Sequence, residues 1–192
     1  MRSLPKLALA FVLLLGCDNA LTGNIVPVPA VHRMPIEVEG TTLLLADDPI
    51  IESKDPVHLA RAKEARVPQD YGAAMSNAFS LAGFRIATER GQTHDLVAKL
   101  ALAVREEGGK VYQTYRCGLM APDGSLVAQI DWAWPQGTYV AEDEVYAYAT
   151  HSLANEVALS PRVIAYLRSH RGAGGLDTRR DTGRDAGAAP AP

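Results

Sequence analysis

The chain has 192 residues and a net charge of −3, with a pI near 5.9. That balance does not suggest a nucleic-acid binder, whose phosphate contacts need a concentrated basic surface. Setting aside the two atypical ends leaves roughly 150 residues, enough for one domain with its own core and too few for two.

The first seventeen residues read MRSLPKLALAFVLLLGC, with Arg2 and Lys6 ahead of an apolar run from Leu7 to Leu15. Such a run fits the core of an export signal and is too short to cross the hydrocarbon layer as a permanent helix. Leu14-Leu15-Gly16-Cys17 resembles the lipobox of bacterial lipoproteins, in which a small residue before the cysteine admits the signal peptidase and the thiol receives diacylglycerol. Leu15 is bulkier than the residue commonest two places before that cysteine. The resemblance implies a lipoprotein signal peptide over 1–16 and lipidation at Cys17. Secretion with cleavage elsewhere and a retained anchor are the alternatives. Each buried CH₂ of an acyl chain contributes about 0.8 kcal/mol, so several chains make attachment lasting. Asp18 resembles the inner-membrane retention signal of enterobacterial lipoproteins. The outer membrane is the favoured address, with the inner membrane its competitor and the domain facing the periplasm.

Of the two cysteines, lipidation would leave Cys117 without an intramolecular disulfide partner. Its place in the strand candidate YQTYRCGLM predicts a buried, inert thiol. From Asn19 to Pro35 the chain lacks periodicity and is punctuated by Pro27, Pro29 and Pro35. It reads as part of a spacer over 17–40, with an extended segment around Ile25 to Val28.

The domain proper is expected over 41–170. Thr41 to Ala46 is a strand candidate stopped by Asp47-Asp48-Pro49. Between Glu52 and Gln69 the chain is charged and broken by Pro56 and Pro68, and fits either a short helix from Val57 to Glu64 or a polar connection. Asp70 caps a predicted helix through Ala82, in which Tyr71, Ala74, Met75, Ala78, Phe79 and Ala82 recur at helical spacing. Gly83 ends it, and Phe84 to Thr88 starts a strand.

Asp95 to Arg105 alternates as a strand would, while Leu96, Leu100 and Val104 also fit one face of a helix. The strand is preferred because Glu107-Gly108-Gly109-Lys110 reads as a hairpin connection into Val111 to Met120. Pro122-Asp123-Gly124-Ser125 then forms a tight turn into a strand whose apolar phase carries Leu126, Ala128, Ile130, Trp132 and Trp134. A helix from Asp143 or Glu144 to Ala158 follows. Ser160 and Pro161 start a short one ending near Ser169, and both supply apolar faces. The fold class is therefore α+β: a mostly antiparallel sheet of four to five strands with helices packed on one face. Arg171 to Pro192 is rich in Gly, Ala, Arg and Asp, with almost nothing to bury, and reads as a disordered tail.

The lipobox at Leu14 to Cys17, the run Ala78-Phe79-Ser80-Leu81-Ala82-Gly83-Phe84, the His94-Asp95-Leu96 entry and the Asp123-Gly124 hairpin together resemble small bacterial envelope lipoproteins. That broad group includes lipoproteins of LPS assembly (LptE-like), auxiliaries of transport systems and curli-secretion domains. The likeness covers about Thr41 to Leu167 and rests on element order. It implies a helper that binds another envelope component and transfers no binding residue.

The five histidines, His32, His58, His94, His151 and His170, lack metal-site spacing, so no metal and no cofactor is expected. His94-Asp95 is the sharpest pair, but neighbours on a strand point to opposite faces, and a polar strand start explains them. No nucleophile elbow surrounds the serines, and Gly108-Gly109 and the glycines near 172–175 lack the phosphate-loop pattern. Tyr112, Tyr115, Trp132 and Trp134 are the candidate partner-binding residues, since paired strands gather aromatics that suit a protein, glycan or lipid surface. Core packing is the competing role for the two tryptophans. The expected function is a non-enzymatic, lipid-anchored periplasmic adaptor with an envelope protein partner. A lipid- or glycan-binding lipoprotein, and a hydrolytic enzyme with a site not visible in sequence, are the alternatives.

Overall fold

The computed structural model describes residues 25–174 except 47, 88, 90, 109, 142 and 143, with no side-chain description beyond 170. The expected signal peptide over 1–16, Cys17, Asp18, Asp143 and the expected tail beyond 174 lie outside the described residues. Among the described residues ten elements follow in order: β1 (Thr42–Leu45), β2 (Ile50–Ser53), α1 (Pro56–Glu64), α2 (Val67–Leu81), β3 (Arg85–Ala87), β4 (Leu96–Glu107), β5 (Lys110–Met120), β6 (Leu126–Ala133), α3 (Val145–Ala158) and α4 (Pro161–Gly174). The fold is α+β, with helices beside one sheet.

The sheet is five positions across, in the order β3-β1-β4-β5-β6. The β4–β5–β6 meander is antiparallel, its first ladder running from Val97 opposite Met120 to Glu107 opposite Lys110. That long ladder settles the ambiguous Asp95–Arg105 stretch as strand, because cross-strand pairing outweighs the helix preference of its alanines. The other side of β4 takes two short parallel strands laid end to end. β1 pairs with its first residues and β2 with Ala101 to Val104.

β2 was not expected after the Asp47-Asp48-Pro49 stop. Pro49 is buried and packs so closely on α2 that a Cβ at Gly72 would stand 3.2 Å from its ring. The break therefore interrupts the edge without ending it.

Local chemistry explains the helices. The Asp55 carboxylate accepts the Val57 N–H at 2.8 Å, with Pro56 in the first turn, so α1 is capped. α2 begins four residues earlier than an Asp70 cap would place it. Arg66 takes a left-handed backbone (φ 58) and Pro68 fits the first helical turn, leaving Asp70 inside the helix near its positive end.

At the other end of α2, Gly83 (φ 98) and Phe84 close a Schellman motif. Gly83 N–H donates to Ser80 O, Phe84 N–H donates to Phe79 O, and the Phe79 and Phe84 rings meet edge to face at 5.4 Å. α4 continues past Ser169 to Gly174, so the predicted boundary at 170 falls within a helix.

One face of the sheet is filled. Leu43, Leu96, Leu102, Tyr115 and Leu119 meet Tyr71, Met75 and Phe79 of α2, Leu153 and Val157 of α3, and Leu167 of α4 in a common core. Such burial contributes on the order of 1.5–3 kcal/mol per large apolar side chain. Among the described residues no helix covers the opposite face. It carries Lys99, Arg105, Gln129 and Asp131 between the small side chains of Ala101, Ala103 and Ala133.

Residues 25–40 correct the spacer expectation. Val26 N–H donates to Tyr139 O at 2.8 Å, and Met34 N–H donates to Ala82 O at 2.9 Å. His151 Nδ1 lies 2.8 Å from Pro29 O, while Asn155 accepts from His32 N–H at 2.6 Å and donates to Ala30 O at 2.9 Å. Met34 and Val38 are buried in the core. This segment lacks periodicity because its partners, the His151 and Asn155 side chains of α3 and the carbonyls of Tyr139 and Ala82, lie far away in sequence.

Candidate functional site

The four aromatics singled out in the sequence separate into two groups. Tyr112 and Tyr115 are three residues apart on β5, so strand alternation turns them to opposite faces. Tyr112 lies on the uncovered face, with the Arg105 guanidinium 5.1 Å from its ring centre, a cation–π contact. Tyr115 is wholly buried and offers no surface to a partner.

From Tyr115 a ladder of rings runs outward. Tyr71 packs edge-on to it at 5.4 Å, Trp132 follows at 5.7 Å, and Trp134 stands 5.8 Å from Trp132. Tyr148 on α3 closes against both tryptophans at 5.9 and 5.2 Å. The pairing of Tyr115 with Trp132 across β5 and β6 builds this arrangement, and Trp134 Nε1 donates to Thr138 O at 3.3 Å. Trp132, Trp134 and Tyr148 are half-buried, so the ladder passes from sealed core to surface where β6 turns toward α3. Tyr71 and Tyr148 were not singled out. Their only signal was helical spacing, which marks core as readily as a site.

Burial governs the titration of this region. Desolvation pushes the Tyr115 and Tyr71 hydroxyls well above the ordinary tyrosine range and the Cys117 thiol up to about 12. The Tyr115 hydroxyl donates to Gln113 Oε1 at 3.0 Å. Cys117 is a free, fully buried thiol held in its un-ionised, unreactive form.

The uncovered face carries an ion network that sequence reading missed. Arg116 reaches Glu52 on one side at 2.6 Å and Asp131 on the other at 3.4 Å. At the upper end of the sheet, where β4 outruns β2, a surface cleft of about 620 Å³ is lined by Ile51, Lys54, Asp55, His58, Val104 and Arg105, among others. His58 Nε2 lies 3.7 Å from Asp55 Oδ2. Acidic and basic groups alternate around this cleft, so it presents no single sign of charge to a ligand.

His94 and Asp95 have structural partners. His94 Nδ1 is 2.9 Å from Gln92 O, and Asp95 accepts the Thr42 N–H at 2.7 Å, which ties the start of β4 to β1. Ser80 and Ser152 donate to the backbone one turn earlier, and Ser125 donates to Asp123. Among the described residues no three His, Cys, Asp or Glu side chains gather as a metal-binding group, and no helix is long and apolar enough to cross a membrane.

No family model matches the chain, and no curated protein matches it. Solved structures resemble its backbone loosely. A PelC dodecamer from Paraburkholderia phytofirmans is similar at 15% identity, covering 77% of this chain and 96% of that one, with a TM-score of 0.36. A putative neuraminyllactose-binding hemagglutinin homolog from Helicobacter pylori is similar at 13% identity over 77% and 97% of the two chains, with a TM-score of 0.39. A lipoprotein from Neisseria meningitidis is similar at 15% identity over 63% of this chain and 99% of that one, with a TM-score of 0.35.

Proposed function

We propose that the protein is a lipid-anchored, non-enzymatic adaptor of the bacterial envelope, held through Cys17 and acting on a protein partner by surface complementarity. The observation that carries the adaptor role is the contrast between the two sides of the sheet. The helix side is filled by Tyr71, Phe79, Leu43, Leu96 and Tyr115, which leaves no room there for a lipid or glycan chain. The other side and the outer edge of β6 are uncovered among the described residues. An uncovered edge strand offers backbone donors and acceptors to an extended segment of another protein. The half-buried rings of Trp132 and Trp134 lie at the end of that same strand. The polar groups of the cleft are satisfied by near neighbours or open to solvent, so they do not converge on a reacting atom.

A tether raises the local concentration of the domain beside membrane partners and needs no chemistry of its own. Two measurements test the reading. Mass spectrometry of the mature amino terminus is expected to find an acylated Cys17, and an unacylated start elsewhere ends the anchor. Crosslinking in native envelopes from a photoreactive side chain at Gln129 on β6 is expected to capture one envelope protein. Recovery of a stoichiometric lipid or glycan with no protein would move the function to the ligand-binding alternative.

A further inference from the structure

The described body begins at Ile25, roughly eight residues after Cys17. At about 3.5 Å per residue that intervening chain reaches at most roughly 28 Å. Where the body begins is fixed: Ile25 bridges to Tyr139, just beyond the end of β6, and the Thr138 carbonyl is held there by the Trp134 ring N–H. The opposite end of the molecule is the turn at Pro35 to Gly40, beside the starts of β1 and β3. Trp134 stands beside Gln113, which pairs with Val104, while Thr42 at the start of β1 stands beside Asp95. About nine residues of β4 separate these two levels, a distance of roughly 30 Å at about 3.3 Å per residue.

We infer that the Ile25–Tyr139 end of the body rests against the membrane interface, with the Pro35–Gly40 turn directed away from it. The inference rests on the proposed anchor at Cys17 and adds which end it draws down. A leash of at most about the body's own length draws its point of attachment toward the bilayer more than the far end. The side chains at that point suit the contact, since Ile25 is 66% exposed and Tyr139 is 42% exposed. A tyrosine places an apolar ring and a polar hydroxyl at headgroup depth. The adjacent β4–β5 hairpin carries Arg105 and Lys110 against Glu106 and Glu107, a balance that brings no net repulsion from an anionic surface. Exposure alone does not select the end, because Ile36 in the far turn is 85% exposed. The point of attachment does.

The test uses the full-length lipidated protein in vesicles of phosphatidylethanolamine and phosphatidylglycerol doped with a headgroup spin-labelled lipid. A fluorophore is placed at Tyr139→Cys or, so that a folding defect at Tyr139 does not decide the result, at exposed Gln136→Cys in the same loop. Ile36→Cys serves the far end. Acylation occupies Cys17 and burial protects Cys117, so only the introduced thiol takes the dye. Sedimentation with the vesicles and several-fold stronger quenching at positions 139 and 136 than at 36 are expected. Sedimentation with equal or reversed quenching overturns the orientation and leaves the anchor standing. Failure to sediment overturns both.

Discussion

Arg116 on β5 reaches over β4 to place its guanidinium 2.6 Å from the Glu52 carboxylate on β2. It thereby clips a four-residue strand to the middle of the sheet. Both side chains are more than a third exposed, so water screens the pair and its contribution is on the order of 0.5 kcal/mol. In a double-mutant cycle with Glu52→Gln and Arg116→Met, urea unfolding is expected to give a coupling below about 1 kcal/mol that shrinks as salt is added. A salt-independent coupling above about 2 kcal/mol would mean that the pair is shielded from solvent.

Tyr71 and Tyr115 touch edge to face, yet their hydroxyls are placed differently. Tyr115 donates to Gln113, whereas among the described residues the Tyr71 hydroxyl has no hydrogen-bond partner. Tyr115→Phe is expected to cost about 1 kcal/mol, because it removes a bond and strips an acceptor on a buried amide. Tyr71→Phe removes only an unpaired polar atom and should be neutral or stabilising by up to about 1 kcal/mol. Chemical denaturation of the two variants checks the order, and a larger loss in Tyr71→Phe would reverse the assignment.

Cys117 supplies a probe of core integrity. With its thiol pushed up to about 12 by burial, the thiolate fraction at pH 8 is on the order of one in ten thousand, and the sulfur is also inaccessible. Folded protein is expected to resist a maleimide at pH 8 for hours, and protein in 8 M urea to react within minutes. Rapid labelling of folded protein would show that the sheet opens locally.

Stability should fall on the acid side for a local reason. The Glu37 carboxyl is held below its ordinary value of 4.5 by its own backbone N–H and then by Arg168. Asp123 is held below 3.8 by the backbone N–H and then the hydroxyl of Ser125. Each therefore binds a proton more readily in the unfolded chain. The stability they contribute is present above 4.5 and 3.8 respectively and is lost as pH falls through the lower folded values. Urea midpoints should hold steady from pH 7 to 5 and decline below that. In Asp123→Asn the part of the decline below 3.8 should be shallower, and an unchanged slope would remove Asp123 from the account.

The strength of each sequence signal followed how local its cause was. Gly83 announced the end of α2 because a left-handed residue is needed there, and Asp123-Gly124 announced the hairpin for a similar reason. The start of α2 at Val67 was concealed by Pro68, which reads as a breaker but fits a first turn. β2 was concealed because four residues beside a proline carry too little alternation, and its cause is an edge of β4 some fifty residues later. For the candidate site, grouping Tyr112 with Tyr115 overlooked strand alternation, which sets residues three apart on opposite faces. Neither Tyr148 closing on the tryptophans nor Arg116 joining Glu52 to Asp131 could be read, because each depends on elements meeting across the fold.

The segment from Val26 to Met34 lies alongside α3 and advances in the same direction, gripped in turn at Tyr139, His151, Asn155 and Ala82. Tension on its amino-terminal end therefore acts along the row of bonds, in shear, and the grips share the load instead of parting one after another. If the proposed anchor holds the domain by that end, a pull on it would load these bonds together and leave the core shut.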